Sequence, residues 1–295
     1  MNKKKLEQLR RELSAMPEGA LHVKHSSKYT SFVEYTAESG AKNINKEQDK
    51  IYALARKKYI KNEIAIMEET SDGKLIKLNA QRNKMLTNFE KAGLDLARIT
   101  MTPSQYKWMH DTFPSNQTHK EDLIHITSSG IAMRSKSECK IGNMYEKLGI
   151  PYRYEMALTM DVFDLVEYLV EVTKDYRHGK RLYSYSGNLC FWNVPPELSW
   201  MNQRGSIWRR FDASKGTITI FPDFNPLTFD GQRLVHEHEG MTSDPYYRSN
   251  ASERIFVMRH SGAVTSDNLF FTFEQDLLDS RYLESFLRDN ILTRI

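Results

Sequence analysis

Cysteine is scarce: Cys139 and Cys190 are the two in 295 residues. Two thiols cannot build a disulfide framework, and their separation is not that of a zinc site. Both are read as reduced thiols of a cytoplasmic protein. Long apolar runs are missing, which argues against a helical membrane span, and Met1–Arg11 (MNKKKLEQLRR) lacks the apolar stretch of a signal peptide. Nor is there a large excess of one charge. Lys and Arg number 42 against 38 Asp and Glu, a net +4, too small by itself to imply a polyanionic partner. What is there is 40% hydrophobic and 27% charged, the balance of a folded rather than a disordered chain. The length suffices for one large domain or two modest ones, with a real core.

The charge is unevenly spread. Residues 1–95 hold 19 basic and 13 acidic side chains, and the remainder 23 and 25. Leu6, Leu9 and Leu13 stand at helical spacing in residues 3–16, and Pro17 and Gly19 close that helix. Leu21 and Val23 then alternate with His22 and Lys24, Phe32–Tyr35 is rich in β-formers, and Ser26–Ser27 and Ser39–Gly40 mark turns. Two or three short antiparallel strands are predicted. A long helix from about Lys46 carries the stripe Ile51, Leu54, Ala55, Tyr59 and Ile64, and residues 74–95 read as helical again. Residues 1–70 thus form a small α+β helix–hairpin–helix module, residues 71–125 a helical connector, and residues 126–295 the main domain. Lys24, His25, Lys28, Lys42 and Lys46 lie in or near the hairpin, where a β-ribbon suits a nucleic-acid groove. A docking appendage is the alternative.

In the main domain a helix is predicted over about 135–148, with Ile141, Met144, Tyr145 and Leu148 on one face and Gly149 at its end. Strands follow at Arg153–Met160, Gly216–Phe224 and Gln232–Glu239. A helix at about Pro245–His260, a strand at Asn268–Gln275 and a last helix at about Asp279–Leu292 complete the order α-β-β-β-α-β-α. That is an α/β class with a mixed central sheet flanked by helices.

Chemistry concentrates in LVHEHEGM (Leu234–Met241), where a strand puts Glu237 and Glu239 on one face and His236 and His238 on the other. Asp223 ends the preceding strand, directly after Pro222. Glu138 belongs to the sheet-facing side of the first helix, three residues before Ile141. A carboxylate aimed at a sheet is costly without a positive partner, and hard oxygen donors suit Mg²⁺ or Mn²⁺. The histidines offer a zinc reading, but no third ligand is evident and HEHEG is not HExxH. Asp223 as a turn residue and Glu237 as a solvated strand position remain the plain alternative.

The segments Gly130–Glu155 (GIAMRSKSECKIGNMYEKLGIPYRYE), Phe221–Phe224 (FPDF), His236–Met241 (HEHEGM), Tyr246–Ile255 (YYRSNASERI) and Phe270–Glu274 (FFTFE) resemble the restriction-endonuclease-like fold. More narrowly, they resemble stand-alone bacterial PD-(D/E)XK proteins marked by RSKSE, PDF and E-H-x-G-M. The resemblance covers about residues 102–159 and 216–295, and the N-terminal module is also similar to the one that precedes this domain in such proteins. It implies a metal-dependent deoxyribonuclease with Glu138, Asp223 and Glu237 as the acidic metal-binding set. The sequence departs from the pattern at position 239, where Glu239 stands in place of the expected lysine. Lys136 and Arg254 are candidates for the missing positive group; Arg134, one turn before Glu138, is a candidate for binding phosphate. Glu239 or Lys136 would orient or deprotonate the attacking water.

Residues 160–215 form an insertion in which Asp161–Tyr176 reads as an amphipathic helix. Residues 171–215 hold eight basic and four acidic groups among Tyr183, Tyr185, Phe191, Trp192, Trp200 and Trp208. Basic and aromatic interleaving suits nucleic acid, with Arg209 and Arg210 on phosphate, although tryptophans filling their own small core or anchoring a protein partner give the same pattern. The expected partner is DNA, with a homodimer favoured if both strands are cut, and no membrane. A nuclease-fold protein that has lost catalysis and binds nucleic acid or protein is the second reading.

Overall fold

The computed structural model describes residues 3–26, 29–165, 207–212 and 214–295. Two units are present, one formed mainly by residues 1–111 and the other mainly by residues 112–293. The stretch 71–125, expected as one connector, is thus divided between them at Asp111.

The first unit contains α1 (Lys3–Ser14), β1 (Ala20–His25), β2 (Thr30–Thr36), β3 (Gly40–Asn43), α2 (Gln48–Glu68), α3 (Asp72–Lys91), α4 (Leu96–Thr100) and α5 (Pro103–His110). The strands make one antiparallel sheet in sequential order, with Leu21 opposite Glu34 and Val23 opposite Phe32. Alternation sends Leu21 and Phe32 inward to a core shared with Ile51, Leu54 and Ala55 of α2 and Phe89 of α3. Glu34 lies on the same inner face and is buried. Lys50 meets it at 2.7 Å, which explains how a carboxylate is tolerated there. His22, Lys24 and Tyr35 share the opposite face.

In α2 the buried positions are Ile51, Leu54, Ala55, Arg56, Ile60 and Glu63; Tyr59 and Ile64 of the expected stripe are only partly buried, and Ile60 and two charged residues join it. Arg56 is a clamp. Its Nε and Nη2 donate to the Glu12 carboxylate and its Nη1 to the carbonyls of Ile99, at 2.8 Å, and Met101. One guanidinium thereby joins α1, α2 and the end of α4. Arg56→Met is expected to cost about 3 kcal/mol, because it strands Glu12 and two carbonyls. Denaturant unfolding checks this, and a loss below about 1 kcal/mol would show that the clamp is dispensable.

The second unit contains β4 (His125–Ile126), β5 (Ala132–Met133), α6 (Lys136–Leu148), β6 (Tyr152–Tyr154), β7 (Leu158–Asp161), β8 (Phe211–Asp212), β9 (Thr217–Ile220), β10 (Phe224–Pro226), β11 (Val235–Glu239), α7 (Pro245–His260), β12 (Leu269–Phe273) and α8 (Ser280–Asn290). A mixed sheet has the order β12-β11-β10-β6, with β11 and β12 parallel and the other pairs antiparallel. A parallel pair needs a crossover, and α7 supplies it.

Two strands expected as continuous are each broken. Arg153–Met160 divides into β6 and β7 at Glu155, whose φ is +46°. Gly216–Phe224 divides into β9 and β10 around Pro222, which has no N–H for a ladder. The breaks are level with each other, since the Glu155 N–H donates to the Asp223 carbonyl at 3.0 Å. Beyond them β7 and β9 leave the mixed sheet and pair in a second sheet, β7-β9-β8.

Both faces of the mixed sheet are covered. On one, Ile141 and Tyr145 of α6 and Leu283 and Leu287 of α8 pack with Phe224, Leu234 and Phe270. On the other, Val257 and Met258 of α7 pack with Val235, Leu269, Ile218 and Ile220. The even-numbered residues of β11 therefore look toward α6 and α8, and the odd-numbered ones toward α7. Among the described residues no helix is long and apolar enough to cross a membrane.

A candidate acidic active site

β11 is an inner strand of the sheet, and all five of its residues are buried. Four of them are the polar set His236, Glu237, His238 and Glu239, so the period of two decides what each must find. On the α6 side the histidines are fully engaged. His236 bonds Tyr145 Oη through Nδ1 at 2.8 Å and Thr272 Oγ1 through Nε2 at 2.9 Å. His238 bonds the same Thr272 hydroxyl through Nδ1 at 3.1 Å and Glu274 Oε1 through Nε2 at 3.2 Å. Ser137 adds a 2.6 Å bond to that Glu274 oxygen. With all four ring nitrogens taken, the zinc reading of the two histidines has no free ligand atom. Burial, with help from His238, pushes His236 down to about 3.

On the α7 side the carboxylates are poorly satisfied. Arg254 Nη2 lies 3.0 Å from Glu237 Oε2 and 3.7 Å from Glu239 Oε1. Glu237 Oε1 and both oxygens of Glu239 are buried and accept no hydrogen bond of good geometry, with the Tyr247 hydroxyl and Arg254 the groups nearest Glu239. Asp223 stands beside them where the second break aims it, and its Oδ2 accepts the His238 N–H at 2.7 Å. Burial, then Glu237, then Glu138 raise the Asp223 carboxyl well above the usual carboxylate range. Burial raises Glu237 too, against the pull of Arg254. Each member of the pair thus resists ionisation more than a separated carboxylate would. Arg254 is held charged by Glu237, Asp223 and Glu239. Burial and Glu239 raise the Tyr247 phenol, also on α7.

Glu138 enters from the other side of Asp223. It is the third residue of a capping box on α6: Ser135 Oγ accepts the Glu138 N–H at 3.0 Å, and Glu138 Oε2 accepts the Ser135 N–H at 3.3 Å. The same oxygen accepts the Arg134 N–H at 3.2 Å and the Tyr154 hydroxyl at 2.6 Å. Glu138 therefore carries both a capping role and a charge that bears on Asp223.

Other expected residues fall differently. Arg134 grips Glu155 at 2.7 and 3.0 Å and donates to the carbonyls of His119 and Thr118 at 2.6 and 2.7 Å. Most of its fork is spent on structure, which corrects its expected place on phosphate. Lys136 is exposed at the start of α6 and forms no ion pair with the acidic group among the described residues. Arg210 lies over the Phe221 ring at 5.8 Å and is close enough to Arg254 to feel its charge. The Arg209 backbone is described but its side chain is not, and Lys28, Cys190 and most of the insertion fall outside the described residues. Lys24 sits on the outer sheet face of the first unit, 6.0 Å from the Tyr35 ring, with His22 packed edge-on to the same ring at 4.5 Å.

Sequence reasoning missed Thr272, Tyr145, Tyr247 and Glu155 as neighbours of the site. Ser135-x-x-Glu138 is a legible capping-box signal, but nothing local announces that Tyr145 meets His236.

Among the described residues no three Asp, Glu, His or Cys side chains converge at ligand spacing. The donors nevertheless fit a divalent cation in kind. They are all hard oxygens, three of them are buried and accept no hydrogen bond of good geometry, and the carboxyl groups of Glu237, Asp223 and Glu239 act on one resident cation, Arg254. No family model matches the chain, and no curated protein or solved structure does.

Proposed function

We propose that this protein is a Mg²⁺- or Mn²⁺-dependent nuclease that hydrolyses phosphodiester bonds, with DNA as the favoured substrate and a restriction-endonuclease-like core in its second unit. The observation that carries the reading is the set of buried carboxylate oxygens on Glu237 and Glu239 that accept no hydrogen bond of good geometry, beside Asp223. Unpaired buried carboxylates cost several kcal/mol, and such a cost persists where function uses the charge. Asp223 and Glu237 would hold the ion, and Glu138 would join directly or through water. When bound, the ion lowers the pKa of water and offsets charge developing on the phosphate. Glu239, in the position expected for lysine, would take the proton from the attacking water. Arg210 and Arg254 supply positive charge for the phosphate oxygens.

The test is incubation of the parent and Asp223→Ala with supercoiled, linear and single-stranded DNA and with RNA, in Mg²⁺, Mn²⁺ or chelator. Cleavage by the parent alone, and only with metal, is expected. Binding without cleavage under every condition would turn the assignment to a non-catalytic nucleic-acid-binding protein.

The outer face of the β1–β3 sheet, with Lys24, His22 and Tyr35, supports a DNA contact that positions substrate. Lys24→Glu is expected to weaken DNA binding several-fold and to lower the slope of log K against log salt by about one. An unchanged slope would remove this face from the interface.

A further inference from the structure

Arg254 occupies an unusual position for an active-site cation. Its Nη2 makes both close approaches, 3.0 Å to Glu237 and 3.7 Å to Glu239. A carboxylate normally takes two parallel bonds from an arginine fork, whereas here Arg254 offers one nitrogen, and Glu237 Oε1 and both Glu239 oxygens accept no hydrogen bond of good geometry. One monovalent planar group therefore satisfies only part of a site built from the carboxyl groups of Asp223, Glu237 and Glu239. The Arg254 side chain is also 30% exposed, against 1% for Glu237 and 6% for Glu239. It has a path outward that the carboxylates do not, and Arg210 is near it.

We propose that Arg254 is an internal competitor of the catalytic cation: its guanidinium and a divalent ion would contend for the Glu237 carboxylate, and Arg254 released from that carboxylate would be available to a phosphate oxygen. This rests on the reading of the site as that of a metal-dependent nuclease. It gives Arg254 two partners, carboxylate and phosphate, used in alternation. The exchange is favourable on charge, because a divalent ion at hard oxygens can satisfy more of these atoms than one Nη2 does. It also keeps the positive charge of Arg254 from being idle once the ion is in place.

The experiment is calorimetric titration of chelator-treated full-length protein with Mn²⁺ and Mg²⁺, alongside melting temperatures with and without each ion. Parent, Arg254→Gln and Arg254→Lys are compared. Arg254→Gln is expected to bind Mn²⁺ about tenfold more tightly than the parent, since it removes a charged contact at Glu237. It should also melt lower than the parent in chelator and gain more on adding metal. If Arg254→Gln fails to fold in chelator, Arg254→Lys carries the test, with binding expected several-fold tighter than the parent. Equal or weaker binding in the folded variants, with the parent binding metal, overturns the role of Arg254 and leaves the nuclease reading intact. No binding by parent or variants at millimolar metal overturns both.

Discussion

Asp223→Asn is expected to lower metal-dependent DNA cleavage by at least about a hundredfold, while leaving the protein folded. Asparagine is nearly isosteric and keeps an oxygen to accept the His238 N–H, now a 2.7 Å bond to Asp223 Oδ2. The backbone carbonyl that accepts from Glu155 is untouched. What the substitution removes is a charge that two neighbours, Glu237 and Glu138, already resist. The variant should therefore melt no lower than the parent in chelator, and it should lose most of the melting-temperature gain that Mn²⁺ confers on the parent. Residual cleavage within tenfold of the parent in a properly folded variant would refute the assignment of Asp223. The paired readouts separate a damaged fold from a damaged site.

Acid is expected to destabilise the protein through His236. The imidazole is fully buried and is pushed from its ordinary value of 6.5 down to about 3. Between those values the unfolded chain binds a proton that the folded chain refuses. The contribution is complete above about pH 6.5 and is lost as pH falls toward 3, amounting to about 5 kcal/mol over the whole window. Asp223 acts with the opposite sign: its raised carboxyl takes up a proton on folding, so its share of stability falls as pH rises above the ordinary carboxylate range. A variant is needed to isolate the histidine. His236→Gln should be less stable than the parent at pH 7, because the bonds to Tyr145 and Thr272 are disturbed. Its deficit should shrink by about 3 kcal/mol by pH 4, where the parent bears the cost of keeping His236 neutral. A deficit that stays constant from pH 7 to pH 4 would remove His236 as the acid-sensitive group.

Local patterns carried much of this protein. Period-two alternation placed Glu237 and Glu239 on one face of β11 and the histidines on the other, and the structure sets them against Arg254 and Thr272 respectively. The helix end at Gly149 was legible because capping and positive-φ chemistry are local. The three helices of the second unit and the strands at β11 and β12 were legible from local periodicity.

Tertiary structure decided the rest. Pro222 is a local break signal, but that the halves of both long strands join different sheets is a choice no single strand contains. The burial of Arg56 depends on Glu12 and on two carbonyls from α4 and its end, brought together from distant parts of the chain. Arg134 reads as a free cation in sequence, yet Glu155 and two loop carbonyls consume it. The sequence by itself determined which side chains carry charge and which face of each element they occupy, because both follow from neighbours a few residues away. Which charges meet, which stay poorly satisfied and which shed or keep a proton were decided only by the fold, because Coulomb and desolvation energies depend on distance in space and not along the chain.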